Sequence, residues 1–569
     1  MSYQKPSLSV PSRRTTIRTA TKRWGGVLLA AVLLLSLGAW TGSPASAATA
    51  RLAATPPMGW NDWAHYQCDY TAATIVANAR ALVRTGLAAR GYDTVTIDDC
   101  WMQKTRDSRG NLQPDPRLFP QGMQPVAAAI HALGLKFGIY EDAGSETCGR
   151  FAGSGEPQGG GKAHFLADAR LFASWGVDYL KLDGCNVYVP KGASAADAYR
   201  AAYRAESTAL AQVGRPIVFS ESAPAYFQGQ PAWYDVLSWV RGYGQLWREG
   251  TDMANYHAKS PPRARFASVL WNYSYNLPLG RFQTPGNWND PDFIIGGDAG
   301  MTLAESRSQL ALWAMMSAPL ILSSDVARLT PAAVRILGNR AVLSVDQDPL
   351  GRMATLLSRS AASDVLIKPL HDGGYAVAVL NRGTAALPER LRPADLGFVA
   401  SACRFDARNL WSGERQPAVA ALRADIAAHD TAIWTIRPNA ACGMPARIGT
   451  ITRVLPSPTD DADHPDASRY TRCLAAPGAV EPCAGTAAES WEVMSNGALR
   501  SGGKCLAQKG GRAVLAACSS ATDQAWHYDV LGKLINSASG QCLTGSARGA
   551  LSVAACGNNP PSQIWSLPN

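Results

Sequence analysis

Between Pro57 and about Gln347 the chain alternates short apolar runs with stretches of helical periodicity, and few architectures sustain that alternation for nearly 300 residues. The runs are Met58-Gly-Trp60, Thr94-Val-Thr-Ile-Asp98, Lys136-Phe-Gly-Ile-Tyr140, Tyr179-Leu-Lys-Leu-Asp183, Ile217-Val-Phe-Ser220 and Pro319-Leu-Ile-Leu322. Thr71–Thr85, Ser194–Val213 and Leu303–Ser317 lie among them with apolar residues at helical spacing. Strand, helix, strand in this order predicts a parallel α/β fold, a (β/α)8 barrel. A doubly wound open sheet is the other solution, but no Gly-rich phosphate loop follows the first strand to favour it.

Most of these runs end in acids or aromatics: Asp98-Asp99, Tyr140-Glu141-Asp142, Asp183 and Ser220-Glu221-Ser222. In a parallel barrel the C-terminal strand ends carry the chemistry, so the recurrence points to one shared polar pocket rather than scattered loop carboxylates. Lys181 and Asp183 are two residues apart and share a face of any strand. Opposite charges turned into a barrel are costly unless a site uses them, a buried structural ion pair being the other reading. Trp247-Arg248 precedes Asp252 and adds a guanidinium and a carboxylate four residues apart, a spacing that also fits a helical salt bridge. Asp183 and Asp252 are thus the candidate carboxylate pair. Two carboxylates in a cleft edged with aromatics suit glycosidic-bond hydrolysis, one acid attacking the sugar and the other protonating the leaving group.

The first 47 residues hold six basic side chains (Lys5, Arg13, Arg14, Arg18, Lys22, Arg23) and no acid. An apolar run from Gly25 to Trp40 and the small residues Ala45-Ser46-Ala47 follow, which reads as a secretory signal peptide over 1–47. A membrane anchor is the alternative, although the run is short for a span, and Ser12-Arg13-Arg14 hints at twin-arginine export. Without that segment 48 basic residues face 44 acidic ones, a net charge of +4 that gives no motive for nucleic-acid binding. The 12 Cys of an exported chain predict disulfides. Only eight His occur and none forms a close pair with another His, so neither a catalytic metal nor a cofactor is expected.

Six motifs in order, Met58-Gly-Trp-Asn-Asp-Trp63, Ile97-Asp-Asp-Cys-Trp101, Gly138-Ile-Tyr140, Lys181-Leu-Asp-Gly-Cys185, Trp288-Asn-Asp-Pro-Asp292 and Asp346-Gln-Asp-Pro-Leu-Gly351, resemble the α-galactosidase (melibiase) family, which includes α-N-acetylgalactosaminidases. The likeness covers about residues 52–440. It implies a retaining exo-glycosidase with Asp183 as nucleophile and Asp252 as acid/base. It further implies Asp98, Asp99 and Lys181 on the galactose hydroxyls, Trp60 and Tyr140 as pocket walls, Arg248 near the C2 substituent, and disulfides Cys68–Cys100 and Cys148–Cys185. The departure is Ser220-Glu-Ser-Ala-Pro-Ala-Tyr226, where family α-galactosidases carry a Glu for the 2-hydroxyl and a bulky residue three positions on. Alignment on Pro224 puts Ser222 and Ala225 at those positions, with Tyr226 beside them on the substrate. Small residues there are the N-acetylgalactosaminidase pattern, since an acetamido group needs space. Glu221, one residue earlier, would restore a Glu only from the opposite strand face. Divergence around an ordinary galactose site, or one for a β-L-arabinopyranoside, is the other reading.

After Gly351 alternating strands such as Asp364-Val-Leu-Ile-Lys368 and Tyr375-Ala-Val-Ala-Val-Leu380 predict an antiparallel β-domain over 348–442, in which Cys403 and Cys442 have no other evident partners. Residues 443–569, with a linker or loop at about 455–468, hold three repeats. Each has a Cys-Leu pair (Cys473, Cys505, Cys542), a second Cys (Cys483, Cys518, Cys556) and a Trp in Glu489-Ser-Trp491, Gln524-Ala-Trp526 or Gln563-Ile-Trp565. These resemble ricin-type β-trefoil lectins, in which each repeat closes one disulfide and gives its Trp to the core. The resemblance implies a polysaccharide partner, yet the expected Asp and aromatic positions hold Ala475, Ala507 and Thr544, then Glu481, Ala516 and Ala554. The expectation is therefore a secreted α-galactosidase-type hydrolase of oligosaccharides or glycoconjugates, with a barrel over 48–347. A carbohydrate-binding protein that has lost catalysis is the alternative.

Overall fold

The computed structural model describes residues 52–254, 262–298, 300–454, 471–546 and 549–568; the signal-peptide stretch and the proposed linker lie outside them. Eight parallel strands build the first part: β1 (Met58–Asn61), β2 (Thr94–Ile97), β3 (Lys136–Asp142), β4 (Tyr179–Asp183), β5 (Val218–Glu221), β6 (Leu246–Arg248), β7 (Trp288–Asp290) and β8 (Leu320–Leu322). Their order is β7-β6-β5-β4-β3-β2-β1-β8. Ile294, just past β7, closes the ring: its amide donates to the Ile321 carbonyl at 2.8 Å and its carbonyl accepts from Ser323 N at 2.9 Å. The fold is the (β/α)8 barrel. β6 and β7, three residues each, are strands that the apolar runs did not announce.

Helices follow every strand, among them Ala72–Arg84, Ala195–Gln212 and Leu303–Met316, and capping fixes where these three begin. Thr71, Ser194 and Thr302 each accept the backbone N–H three residues on, and Glu305 returns a bond to the Thr302 amide at 2.8 Å. Register then sorts the strand faces. Thr96 pairs with Gly138, Gly138 with Tyr179, Tyr140 with Lys181 and Asp142 with Asp183. Lys181 pairs with Ser220, and Arg248 with Asp290. These residues point inward, and Thr96, Tyr179, Lys181, Ser220, Arg248 and Asp290 line one enclosed space in the barrel. Their neighbours Val95, Phe137, Leu180 and Leu182 point out into the core under the helices. Gly138 is required by crowding, because a Cβ there would lie 2.3 Å from Thr96 Oγ1.

Beyond the barrel, β9 (Thr355–Arg359), β10 (Ser363–Pro369), β11 (Tyr375–Asn381), β13 (Phe405–Asn409), β14 (Arg415–Val419) and β16 (Thr431–Pro438) form one antiparallel sheet in the order β14-β13-β16-β11-β10-β9. β12 (Leu387–Leu391) and β15 (Leu422–Ile426) pair alone. Lys368, fully buried, fastens this part to the barrel helices through the carbonyls of Ala314 and Val345, each at 2.7 Å, and Ser317 Oγ at 2.6 Å. The trefoil completes the chain, its three indoles in one core with Leu474, Leu506 and Leu543. A buried ion cluster ties all three parts together. Arg359 forks onto Asp364 at 3.0 and 2.6 Å, Tyr273 of the barrel donates to Asp364 at 2.9 Å, and Arg359 Nη1 donates to Thr471 of the trefoil at 3.1 Å. The disulfides are Cys68–Cys100, Cys148–Cys185, Cys403–Cys442, Cys473–Cys483, Cys505–Cys518 and Cys542–Cys556.

Candidate active site

Asp183 ends β4 on the inward face, and two phenols aim its oxygens: Tyr226 OH donates to Oδ1 at 2.5 Å and Tyr140 OH to Oδ2 at 3.2 Å. The Gly184 amide adds a third bond to Oδ1 at 3.0 Å. Burial, and then the charges of Asp183 and Asp142, push both phenols well above their ordinary range, so they remain donors. Asp142 stands directly behind, opposite Asp183 in the ladder, with its oxygens on the amides of Gly144 at 2.6 Å and Cys185 at 3.0 Å. Burial and the neighbouring Asp183 charge hold its carboxyl well above the usual range. Asp142, Cys148, Asp183 and Cys185 converge within 4.8 Å. The two sulfurs are bonded to each other, so the cluster offers a metal no thiolate.

Lys181 does not pair with Asp183, two residues away. Its ammonium meets Asp98 Oδ2 at 2.9 Å and lies 5.1 and 5.2 Å from the rings of Tyr140 and Phe293. Burial disfavours the charge, but Asp98 and then Asp183 outweigh it and raise the ammonium's pKa. Asn61 Nδ2 donates to the same Asp98 oxygen at 2.6 Å. Asp99 lies beyond β2 and accepts from Cys100 N at 2.6 Å and Gly149 N at 2.8 Å, tying the loops after β2 and β3; burial moves its carboxyl up to about 6. Trp60, by contrast, is not a pocket wall. It pairs with Val95 and Leu322 on the outward face, is fully buried, and donates its indole N–H to the Ser324 carbonyl at 2.8 Å. A one-residue step along a strand reverses the face, and Asn61 takes the inward place. Trp63, two residues past β1 at the rim, is partly exposed.

The same parity decides the departure at β5. Glu221 pairs with Leu182 and Trp247 on the outward face and is fully buried, with Gly244 so near that a Cβ there would lie 2.5 Å from its Oε1; burial pushes its carboxyl well up. Ser222 follows on the inward side, 3% exposed, and its hydroxyl has no protein partner among the described residues. Ala225 and Tyr226 sit in the short turn Ala223–Phe227, both partly exposed.

Across the mouth, Arg248 ends β6 and Asp252 lies in the loop beyond it, so their 2.9 Å bond is not a helical pair. The Asp252 side chain is 69% exposed and that of Arg248 6%. Desolvation raises Asp252, but Arg248 and Lys181 together hold its carboxyl below the ordinary range. Arg248 Nη1 reaches Asp292 at 2.9 Å. Asp142, Asp292 and Phe293 were not singled out as site residues. The signal for Asp292 was present in the Asp-Pro-Asp motif, and that for Asp142 in the acid two residues after Tyr140.

Carboxylates and phenols gathered at the C-terminal rim of a parallel barrel, with the strongest charges matched inside it, define a glycoside hydrolase. The sequence agrees in detail. The alpha galactosidase A family profile matches residues 55–348, the alpha galactosidase C-terminal beta sandwich profile 360–436 and the ricin-type beta-trefoil lectin profile 468–565. Alpha-galactosidase A of Aspergillus niger is 36% identical over 90% of this chain and 92% of its own. Alpha-galactosidase of Cyamopsis tetragonoloba is 33% identical over 68% of this chain and 87% of its own. The crystal structure of alpha-galactosidase I from Mortierella vinacea superposes with a TM-score of 0.59 at 29% identity, covering 69% of this chain and 99% of that one. The chain belongs to the α-galactosidase family of glycoside hydrolases.

Proposed function

We propose that the protein is a secreted, retaining exo-α-glycosidase that removes terminal α-D-galactosyl residues, with Asp183 as nucleophile and Asp252 as acid/base. The observation that carries this reading is the contrast between the two carboxylates. Asp183 is fixed by Tyr140 and Tyr226 at the pocket floor, whereas Asp252 is exposed at the mouth, where an aglycone departs. Asp183 attacks C1 while Asp252 gives a proton to the glycosidic oxygen; Asp252 then takes a proton from water, which attacks C1 and frees Asp183. Asp98, Asp99 and Lys181 are the ligands of the sugar hydroxyls, Arg248 lies near the C2 substituent, and Tyr140 and Trp63 wall the ring. Proton NMR of the first product from an α-galactoside should show α-galactose; β-galactose appearing first would mean that Asp183 acts as a base and not as a nucleophile.

Ser222 and Ala225 support room at C2 for a 2-acetamido group, with the unpartnered Ser222 hydroxyl free to bond it and Glu221 turned away. Nitrophenyl α-N-acetylgalactosaminide should therefore be turned over as well as nitrophenyl α-galactoside. Ser222→Glu should cut the former by at least about 10²-fold, since a buried carboxylate would stand against the acetamido group. Turnover of the galactoside alone would remove this part of the reading. Export is supported by the basic and apolar stretch before Ala47 and by six disulfides among the described residues. The secreted protein should begin at Ala48 on N-terminal sequencing.

A further inference from the structure

Asp252 does not hold Arg248 alone. Arg248 Nη2 donates to Asp252 Oδ1, and Nη1 pairs with Asp292 Oδ1, both at 2.9 Å. Asp292 is 1% exposed, deep on the far side of the guanidinium. A second contact joins the two acids through the backbone: the amide of Met253, the residue after Asp252, donates to Asp292 Oδ2 at 2.5 Å. One carboxylate thus holds both the cation that Asp252 rests on and the chain that carries it.

The position of Asp292 is bought with strain. Its φ is 75°, in the left-handed region that a non-glycine residue seldom adopts. The surroundings over-determine it: Asp290 Oδ1 accepts its amide at 2.9 Å, Trp313 Nε1 donates to its carbonyl at 2.9 Å, and Asn272 Nδ2 donates to the carbonyl of Pro291 at 3.0 Å. Strain kept in this way marks a place where the side chain has a task.

We infer that Asp292 is a positioning residue for Asp252: two carboxylates on one guanidinium leave one negative charge over, and the proton that balances it is the one the departing aglycone takes. The inference rests on the acid/base role proposed for Asp252. Other charged groups face the pair, and Lys181 also acts on Asp252. Lys181 is matched by Asp98, Asp183 lies across the pocket, and burial pushes Asp290 and Glu249 upward, toward neutrality. Burial, opposed by Arg248 and reinforced by Asp252 and Asp290, moves Asp292 up to about 7. Removing the Asp292 charge leaves Asp252 a plain partner of Arg248, a weaker acceptor that loses its proton at lower pH. During reaction the proton passes from Asp252 to the glycosidic oxygen as the C1–O bond breaks and the Asp183 bond forms.

The test is Asp292→Asn in the full-length protein, Asn being a residue that tolerates this φ. kcat/KM is followed against pH for 2,4-dinitrophenyl α-galactoside, whose leaving group needs no proton, and for methyl α-galactoside, whose leaving group does. The variant should lose about 10²-fold on the methyl glycoside and less than about 3-fold on the dinitrophenyl one. Its alkaline limb should fall by about one pH unit. An equal loss on both substrates with an unmoved limb, or no loss, overturns the inference. Asp292→Gly, which accepts the backbone without strain, is judged by the same criteria if the Asn variant fails to fold. Asp252→Ala separates the two levels. It should show the same substrate selectivity and be rescued by azide as α-galactosyl azide. If it does not, the acid/base reading fails and this inference with it; if it does while both Asp292 variants do not, only the inference fails.

Discussion

The barrel mouth and the trefoil both carry the residues by which carbohydrate-handling folds are recognised, and they use them in opposite ways. In the trefoil the repeat Trp residues and the Glu or Gln two positions before each are turned inward. Trp491, Trp526 and Trp565 donate to the carbonyls of Leu474, Leu506 and Leu543 at 2.6, 2.9 and 3.0 Å. Glu489, Gln524 and Gln563 accept the amides of Ala484, Ser519 and Gly557 at 2.8 to 2.9 Å. Ala475 and Ala507 are buried, and Thr544 is occupied by Gln563 Nε2 at 3.0 Å. At the barrel mouth, groups keep bonding capacity: the Ser222 hydroxyl is unpartnered among the described residues and Asp252 faces solvent. Residues that make a fold and residues that bind a ligand are thus separate sets, and one can persist without the other.

The largest effect that would sharpen this contrast is Asp183→Asn, expected to lower kcat by about 10⁴-fold or more with the melting curve unchanged, because in the proposed mechanism only the covalent step needs that carboxylate. Trp526→Ala should do the reverse. It empties a core shared by all three repeats, costing about 3–5 kcal/mol in denaturant unfolding. kcat/KM for a nitrophenyl glycoside should stay within about 2-fold, the site lying wholly on the barrel. A trefoil variant that unfolds no sooner yet loses turnover would break the comparison.

Much of this was readable beforehand because it rests on period and order. Five of the apolar runs became strands within a residue or two at either end, and the eighth strand likewise, since burial on both faces writes a continuous apolar signal. β6 and β7 were not readable. At three residues each, Leu246–Arg248 and Trp288–Asp290 are too short for a period, and ladder pairing rather than composition makes them strands. Trp60 illustrates the other gap. Motif membership named the stretch, but only register says that Asn61 faces in and Trp60 out. Partners were hidden for a similar reason, as Lys181 meets Asp98 from a strand 83 residues away in sequence. Tyr528, just after the second repeat's Trp526, is likewise occupied at the barrel junction, donating to the Trp565 carbonyl at 2.8 Å.

A smaller effect separates the barrel from the trefoil by pH. Glu141 and Glu206 are fully or almost fully buried behind the strands, and burial, then the nearby Asp168, raises both carboxyls well above their ordinary range. The folded protein therefore holds two protons that the unfolded chain releases above its carboxyl pKa, so the contribution of these two groups to stability is greatest at acid pH and falls as pH rises from that value toward the folded one. Glu206→Gln removes the cost of ionising this group. It should raise Tm by a few degrees at pH 8 and by less at pH 5. A shift equal at both pH values would mean that the group is not protonated in the fold, and a trefoil variant such as Trp526→Ala should show such a pH-independent shift.

The smallest expected signal is an absence, and it tests the trefoil half of the contrast directly. Lectin-type recognition needs a carboxylate to take hydroxyl protons and an aromatic face for the ring. The repeats offer Ala475, Ala507 and Thr544 for the first and Glu481, Ala516 and Ala554 for the second. Calorimetric titration of the full-length Asp183→Asn variant, which keeps its sugar pocket without consuming ligand, should then find one galactose per chain. Saturating that pocket with a tight galactose-configured inhibitor should abolish the remaining heat. A second site that survives the inhibitor would show that the trefoil binds sugar through other residues, with the exposed Asn558 the first to replace by Ala. That result would also confine the lesson of the comparison, since it would mean that the fold kept its function while moving the ligands.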